Sequence, residues 1–286
     1  LYIHLFDKIW VIQANVQFEN KLKFIDNLNF LLPNGQKTCK DASRILIIGS
    51  PGCGKSSFIK NVCYEKRNII YTVRVFCDTN TLNEFYNDFI PRSNIIEYSE
   101  QGLVKYIDWR KKVLERNKNS NATPWDLLIM DDCSYDTKRL KSKPQQEIYR
   151  NGRHFKMLYL LVVQSVRDVT SDVTQCLDGL IIFPPTDGKQ VEKLFEIVNP
   201  SISRKEFNAL LQYVMKMPYT CIWVPKKRAD FYDSIMLYKT KRDIDGDITA
   251  SNPDCIPKKF KFGSDEFRLT YNLQMKSTSF LTVDKK

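Results

Sequence analysis

Apolar runs alternate with amphipathic segments through the middle of the chain, and this alternation predicts an α/β fold. Five largely hydrophobic runs of five to nine residues predict buried strands, at residues 44–49, 68–76, 126–130, 157–164 and 179–183. Between them, apolar residues recur at helical spacing, most clearly from Ser99 to Arg116. Such strands, separated by helices, are typical of a mostly parallel sheet with helices on both faces.

Beyond residue 183, the pattern predicts two further helices and one further strand. One helix is expected over residues 189–198, and another begins at Ser203, which has the spacing of a capping box with Glu206. A further apolar strand is expected over residues 219–224. We therefore predict three segments: N-terminal strands and turns packed on the core (1–43), an α/β core (44–225) and a small C-terminal extension (226–286).

Composition narrows the class of protein. Of the 286 residues, 43% are hydrophobic, which is enough for a substantial core. No apolar run approaches the roughly 18 residues of a spanning helix, so no membrane span is expected. Eight cysteines without a C-x-x-C pair, and only two histidines, argue against zinc and favour a reduced, intracellular protein. The net charge of +11 favours an anionic partner, most often nucleic acid.

The first apolar strand runs directly into a glycine-rich loop. Residues 49–56, GSPGCGKS, match the phosphate-loop pattern G-x-x-x-x-G-K-[ST] at every fixed position. Glycines let backbone N–H groups face phosphate oxygens, and the following helix presents its positive end to them. Lys55 is expected to reach the β- and γ-phosphates, and the Ser56 hydroxyl to bind Mg²⁺. The predicted nucleotide-binding residues are Gly49, Ser50, Pro51, Gly52, Cys53, Gly54, Lys55, Ser56 and Ser57.

Another apolar strand ends in two adjacent acids, Asp131 and Asp132. A phosphate loop needs an acid at the end of a second buried strand, so we expect Asp131 to hold Mg²⁺ through water. Asp132 is expected to orient or deprotonate the attacking water. The two acids thus complete a predicted hydrolytic site.

The motifs separate several classes of NTPase. A GTPase would carry N-K-x-D to bind guanine, but residues 117–120 read NKNS and precede the acidic strand. A small-molecule kinase needs an arginine-rich lid, for which residues 109–118 are a candidate, although helical amphipathicity explains them equally well. Adjacent acids suit water activation better than phosphoryl transfer to an alcohol. Hydrolysis is therefore the favoured reaction.

The strand at residues 157–164 adds two candidates. It ends in Gln164 at the carboxyl edge of the sheet, where ligands of parallel sheets bind, so Gln164 is expected to contact the γ-phosphate or the lytic water. Arg153 precedes this strand and is expected at the opposite edge, away from its own phosphate. An arginine supplied in trans stabilises transition-state charge, so we predict that Arg153 completes a neighbouring subunit's site. A structural ion pair is the alternative.

Residues 138–156 hold seven basic side chains and one acid, Glu147. This stretch connects the acidic strand to the strand that ends in Gln164. A structural change at the nucleotide phosphate is therefore expected to be transmitted to side chains that bind the DNA backbone. Phosphate contacts carry no sequence information, which suits a motor that moves any sequence. A solvated charged loop is the alternative, and residues 226–228 are a weaker DNA-binding candidate. The predicted DNA-binding residues are Lys138, Arg139, Lys141, Lys143 and Arg150.

The phosphate loop, LLIMDDC (127–133) and NGRHFKMLYLLVVQS (151–165) together resemble the genome-packaging ATPases of large eukaryotic double-stranded DNA viruses. These form the poxvirus-like branch of the FtsK–HerA superfamily, and the resemblance covers residues 44–225. It implies the strand order 5-1-4-3-2, a pentameric or hexameric ring, and pumping of double-stranded DNA into a capsid with ATP and Mg²⁺ as cofactors. It also implies a sensor role for Gln164, an intersubunit finger at Arg153, capsid or portal partners, and a location in the host cytoplasm or the virion.

Three other functions stay open on the sequence alone. Another nucleic-acid-dependent ATPase, such as a helicase, would separate strands without a capsid partner. A small-molecule or nucleoside kinase would phosphorylate an acceptor without DNA stimulation. A non-hydrolysing, ATP-binding structural subunit would release no phosphate.

Overall fold

The hydrophobic runs of the chain form the central layer of the molecule. The computed structural model describes residues 18, 21–32, 43–78, 85–118, 125–133, 137–244, 255–258 and 260–262. The strands are β1 Lys23–Ile25, β2 Arg44–Ile48, β3 Ile70–Cys77, β4 Ile95–Ile96, β5 Trp125–Asp131, β6 Met157–Val163, β7 Gly179–Ile182, β8 Thr220–Pro225, β9 Met236–Lys239, β10 Arg242–Ile244 and β11 Cys255–Pro257. The helices are α1 Lys55–Glu65, α2 Glu100–Arg116, α3 Thr137–Leu140, α4 Lys143–Asn151, α5 Ser171–Cys176, α6 Gly188–Val198, α7 Arg204–Met215 and α8 Phe231–Ser234.

Nine strands form one sheet, in the order β1-β9-β8-β7-β2-β6-β5-β3-β4. From β7 to β4 every neighbouring pair is parallel. The five strands predicted from the apolar runs follow the expected order 5-1-4-3-2 within it, which confirms the α/β phosphate-loop fold. The sheet is mixed at one edge, since β8 and β9 each run antiparallel to the preceding strand. Two helices, α6 and α7, connect β7 to β8. The chain enters β8 at the same end of the sheet at which it left β7, and β8 therefore runs antiparallel to β7.

The central strands are apolar at consecutive positions because both faces of the sheet are covered. On β2, Leu46 and Ile48 pack in the cluster that includes side chains of α2, α6 and α7. Ile45 and Ile47 point the other way and pack with side chains of α1. All four side chains are completely buried. The alternation follows from the two-residue period of a strand.

Helix starts follow the polar signals in the sequence. The Ser203 hydroxyl accepts the N–H of Glu206 at 3.2 Å, and the Glu206 carboxylate accepts the N–H of Ser203 at 2.9 Å, which confirms the predicted capping box. Ser99 caps α2 in the same way, since its hydroxyl accepts the N–H of Gly102 at 3.0 Å. The predicted helices at 99–116 and 189–198 are confirmed to within one residue.

Helix α2 is a packed element of the covering layer and not a lid. Its buried Arg110 donates to the carbonyl oxygens of Phe155 at 2.8 Å and Lys156 at 3.0 Å. These bonds fix the turn that leads into β6, at the sheet edge opposite the glycine-rich loop. The kinase-lid interpretation of residues 109–118 is therefore wrong for this structure.

Residues after 225 brace the helix that follows the glycine-rich loop. On β9, the Tyr238 hydroxyl lies 2.9 Å from Oδ1 of Asn61 and 3.1 Å from Oε1 of Glu65, and its ring packs edge-on against Phe58 of α1. Lys241 forms an ion pair with Glu65 at 2.9 Å. The boundary predicted at residue 225 stays a prediction, and most of the predicted segment 1–43 lies outside the described residues.

Within the described ranges, no helix combines the length and the hydrophobicity that crossing a membrane requires. The seven cysteines at described positions are free thiols.

Two glycines make a matched test of this packing. A Cβ at Gly179 would lie 2.1 Å from Cη2 of Trp223, whose ring also packs against Phe30 at 4.8 Å between ring centres. Gly179→Ala is expected to destabilise the fold by about 1–3 kcal/mol, because the core cannot accommodate the added methyl group. Gly188 begins α6 with no atom within 4 Å of such a Cβ. Gly188→Ala is expected to be neutral or to stabilise by up to about 1 kcal/mol.

Urea unfolding of both variants measures the difference, as a change in midpoint at constant slope. Equal midpoints for the two variants would contradict this account of the β7–β8 packing.

Candidate active site

The loop between β2 and α1 has the backbone geometry of a phosphate cradle. Gly52 and Gly54 have φ angles of 76° and 112°, in the left-handed region that favours glycine. Gly49 meets a different demand, since a Cβ there would lie 2.5 Å from Sγ of Cys53 and 2.7 Å from Cβ of Phe183. Three glycines thus let the loop turn tightly against its neighbours.

The first turn of α1 is suited to an anion. It begins at Lys55 and contains no acidic residue, and no side chain among the described residues caps its N–H groups. The unpaired N–H groups of a helix start carry partial positive charge. Ser56 is exposed and Ser57 is half-buried in this turn. Backbone N–H donors, two hydroxyls and a lysine therefore lie together in the first turn of α1, where they can bind phosphate oxygens.

Lys55 lies across the loop. Its ammonium donates to the carbonyl oxygens of Gly49 at 2.6 Å and Ser50 at 3.0 Å. Its charge is also close enough to Asp131 to lower the pKa of that carboxyl group. The Lys55 ammonium is therefore held at the loop and lies near the Asp131 carboxyl, and its contact with the β- and γ-phosphates stays a prediction.

The sheet brings the acids to the edge that carries the loop. Asp131 pairs in register with Val162 of β6, and the next residue of β6, Val163, pairs with Ile48 at the end of β2. β5 and β2 are separated by two strand spacings, about 10 Å. Phosphates in the loop and a carboxylate on β5 can share one cation across that distance.

Tyr86 positions the Asp131 carboxylate, and no motif in the sequence singles it out. It is the buried residue of the 3₁₀ turn Phe85–Asp88, and its hydroxyl donates to Oδ2 of Asp131 at 2.6 Å. Burial raises the pKa of Asp131 to about 6, against the Tyr86 hydrogen bond, which lowers it. The Asp132 charge raises this pKa further and the Lys55 charge lowers it. Burial also raises the pKa of Tyr86, so its phenol remains a donor.

Asp132 and Gln164 form a direct contact. Nε2 of Gln164 donates to Oδ1 of Asp132 at 2.8 Å. Asp132 has a φ of 53°, a left-handed conformation at the end of β5. The buried thiol of Cys133 lies 3.3 Å from the carbonyl oxygens of Phe76 and Asp131 and holds the chain just after this turn. Two residues predicted separately as catalytic therefore form one unit.

Arg153 lies at the opposite edge of the sheet, as predicted, and forms an ion pair with Asp178. The same carboxylate accepts a hydrogen bond from Nε of Arg44 at 2.9 Å. Burial and the neighbouring Arg44 charge lower the pKa of Arg153, whose side chain is 37% exposed. Within one subunit, Arg153 is therefore the partner in a structural ion pair, as the alternative interpretation expects. Its role in the site of a neighbouring subunit stays a prediction.

The predicted DNA-binding residues divide into two groups. Arg139 is half-buried, pairs with Asp78 and lies over the Tyr98 ring, so its charge is already engaged in the fold. The weaker candidate at residues 226–228 is also structural, since Lys226 and Arg228 donate to carbonyl oxygens at the end of α6. The remaining four side chains are exposed on α3, α4 and the turn between them: Lys138, Lys141, Lys143 and Arg150.

The donor set at the loop fits magnesium. The Ser56 hydroxyl and the Asp131 carboxylate are the hard oxygen ligands that Mg²⁺ prefers. In the described part of the chain, no three His, Cys, Asp or Glu side chains cluster closely enough to hold a metal ion. A cation at these two residues would take its other ligands from phosphates and water, which is the usual coordination of Mg²⁺ in nucleotide sites.

Comparison with known proteins agrees with these motifs. A family model described as "Poxvirus A32 protein" matches residues 34–218. Protein 088R of invertebrate iridescent virus 3 is 31% identical over 244 residues, which are 84% of this chain and 86% of that protein. Protein 075L of invertebrate iridescent virus 6 is 29% identical over 231 residues, with coverage of 79% and 83%. The resemblance predicted from the motifs, to poxvirus-like packaging ATPases, is confirmed.

A solved structure shares the fold. The genome packaging NTPase B204 of Sulfolobus turreted icosahedral virus 2, in complex with ATP-gammaS, aligns with a TM-score of 0.50 and 17% identity. The alignment covers 69% of this chain and 97% of that one. At this identity the similarity concerns the fold, and it agrees with the phosphate-loop NTPase architecture.

The buried acid predicts a pH-dependent change in stability. The rise of the Asp131 pKa from 3.8 to about 6 means that the folded state holds its proton more tightly than the unfolded state. Stability is therefore lost as pH rises from about 4 through 6, by about 2 kcal/mol once residual exposure is allowed for. Asp131→Asn removes this penalty and is expected to stabilise the fold at pH 8 but not at pH 4.

Denaturant unfolding at both pH values measures the effect, with Glu97→Gln as the control for removal of an exposed carboxylate. A stabilisation by Asp131→Asn that is equal at pH 4 and pH 8 would contradict burial as the cause.

Proposed function

This chain belongs to the poxvirus A32 protein family, and from that premise we propose that it is an ATP-driven translocase that packages viral double-stranded DNA. It hydrolyses ATP at the loop between β2 and α1 and moves the duplex into a capsid. The observation that carries the proposal is the Gln164–Asp132 hydrogen bond at 2.8 Å, at the same sheet edge as Lys55. A carboxylate at the end of one strand, held by a side-chain amide at the end of the neighbouring strand, is well placed to orient a water molecule.

The roles of the residues follow from their positions. The loop N–H groups and Lys55 bind the phosphates, while Ser56 and Asp131 would hold the cation, with Tyr86 fixing the carboxylate. Bound Mg²⁺ would neutralise charge that develops on the phosphates. Asp132 and Gln164 orient the attacking water, and Asp132 accepts its proton. Fixed donors around developing charge contribute most to catalysis in such sites.

Coupling to DNA follows from the connection between the strands. The chain leaves Asp132, passes the buried Cys133 and continues into α3 and α4 before entering β6, and Gln164 follows directly after this strand. Loss of the γ-phosphate changes the surroundings of both ends of this connection. The exposed lysines between them are then displaced relative to the sheet while they hold the phosphate backbone of the duplex.

The proposal extends to the assembly. The subunits form a homo-oligomeric ring, in which Arg153 exchanges Asp178 for the nucleotide of a neighbouring subunit. Capsid or portal proteins are the partners, and the site of action is the host cytoplasm or the virion. The solved relative described as a genome packaging NTPase in complex with ATP-gammaS supports the choice of nucleotide and of process.

Replacement of Lys55 tests hydrolysis. Lys55→Ala is expected to lower ATP turnover about 100-fold or more, because it removes the cation that stabilises the transferring phosphate. The free energy of unfolding should change little, since the hydrogen bonds of the Lys55 ammonium within the described part of the chain go to two loop carbonyls. Phosphate release is measured with and without duplex DNA, and Lys112→Ala on the exposed side of α2 serves as the control.

Undiminished turnover by Lys55→Ala would end the proposal. Formation of a phosphorylated acceptor would instead identify a kinase, and strand separation would identify a helicase. For the wild-type chain, stimulation by DNA that rises with protein concentration is expected from sites shared within a ring.

The exposed lysines test the DNA contact. Replacement of Lys138, Lys141 and Lys143 by Ala should weaken duplex binding and lower the slope of log K against log salt by about 2 to 3, since each phosphate contact contributes about 0.9. Basal ATP turnover without DNA should be unchanged. The control variant removes three exposed lysines on α6, α7 and the residue after α7: Lys189, Lys205 and Lys216. Equal salt slopes for the two variants would exclude this surface.

A further inference from the structure

An exposed aromatic side chain borders the phosphate loop and takes no part in the roles described above. Tyr219 immediately precedes β8, and 51% of its surface is exposed. Because β8 runs antiparallel to β7, its first residues lie at the sheet edge that carries the loop. A Cβ built on Gly54 would lie 3.2 Å from Cδ1 of Tyr219, so the ring lies against the start of α1.

The backbone of Tyr219 is held in an unfavourable conformation. Its φ is 59°, in the left-handed region that bulky residues rarely adopt. Thr240 fixes it there, because its N–H and its hydroxyl both donate to the Tyr219 carbonyl oxygen, at 3.0 and 3.1 Å. Strained residues held by their surroundings are concentrated at ligand sites.

The core does not require this ring. Phe183 also approaches Gly54, with Cε1 3.3 Å from the same Cβ position, but it is buried and packs against Phe58. Phe183 therefore fills the space beneath the loop, whereas Tyr219 presents an open aromatic surface beside it. Exposed aromatic rings of this kind bind planar ligands by stacking.

The base of a nucleotide bound along the phosphate loop would lie on the side of the loop where Tyr219 is found. The residues assigned to the γ-phosphate end of the site, Asp131, Asp132 and Gln164, lie at the ends of β5 and β6, on one side of β2. Tyr219 lies on the other side, beyond β7. With its γ-phosphate beside the acids, a nucleotide that follows the loop into the first turn of α1 extends its base toward β7 and β8.

We propose that the Tyr219 ring is the stacking surface for the base of the bound nucleotide. The proposal rests on the proposed nucleotide-binding role of the phosphate loop and adds a contact for the other end of the ligand. Stacking depends on the π-face that all bases share, so this contact supplies affinity and not discrimination between purines.

Two variants test the proposal by direct binding. Tyr219→Gly removes the ring and suits the left-handed backbone, so the fold is preserved, while Tyr219→Phe keeps the ring. The dissociation constants of Mg²⁺–ATP, Mg²⁺–GTP and Mg²⁺–tripolyphosphate are measured by calorimetry. For Tyr219→Gly we expect about tenfold weaker ATP and GTP binding, about 1.4 kcal/mol, and tripolyphosphate binding within about twofold of wild type. Tyr219→Phe should bind all three ligands like wild type.

The outcomes separate this proposal from the one it rests on. Equal loss of ATP and tripolyphosphate affinity in Tyr219→Gly would mean that the residue only shapes the loop, and unchanged ATP affinity would mean that the base lies elsewhere. Either result overturns the stacking proposal and leaves the hydrolytic site intact. Failure of the wild-type chain to bind any of the three ligands would overturn both. Phe24→Ala, which removes an equally exposed ring from β1, should leave all three constants unchanged.

Discussion

The site depends on one constraint, the position of β6 between β2 and β5 in a parallel sheet. In this order, the phosphate loop after β2 and the acids at the end of β5 are separated by a single strand, and that strand leads directly into Gln164. The in-register pairs along β2, β6 and β5 bring three strand ends level at one edge. Burial of the strands on both faces keeps this register, because a shift of one residue would exchange the faces of every side chain.

Several parts of the site are unfavourable in isolation and are held by their surroundings. A largely desolvated carboxyl at Asp131 and left-handed backbones at Asp132 and Tyr219 all cost free energy. Each is secured by a different element, through the Tyr86 phenol, the buried Cys133 thiol and the two donors of Thr240. The large two-faced core offsets these costs. Groups oriented in advance then need little rearrangement as charge develops in the reaction.

Several basic residues form contacts within the fold, while others are exposed at the surface. Arg110 and Arg228 donate to backbone carbonyls, while Arg139 and Arg153 form ion pairs within the fold. Part of the net charge of +11 is therefore structural. Three lysines, Lys138, Lys141 and Lys143, are exposed on the connection between the acidic strand and the strand before Gln164.

Local signals in the chain were enough to predict several elements and part of the chemistry. Apolar runs predicted the five central strands, Ser203 and Glu206 predicted a helix start, and the glycine-rich loop predicted a phosphate site, because each of these signals depends on residues close together in the chain. The order of the strands came from a family resemblance. Tertiary structure alone decided the reversal of β8, the Tyr86–Asp131 and Asp132–Gln164 hydrogen bonds, and which arginines are engaged in ion pairs. These features depend on contacts between residues that are far apart in the chain. Such contacts leave no periodic pattern in the sequence from which they could be predicted.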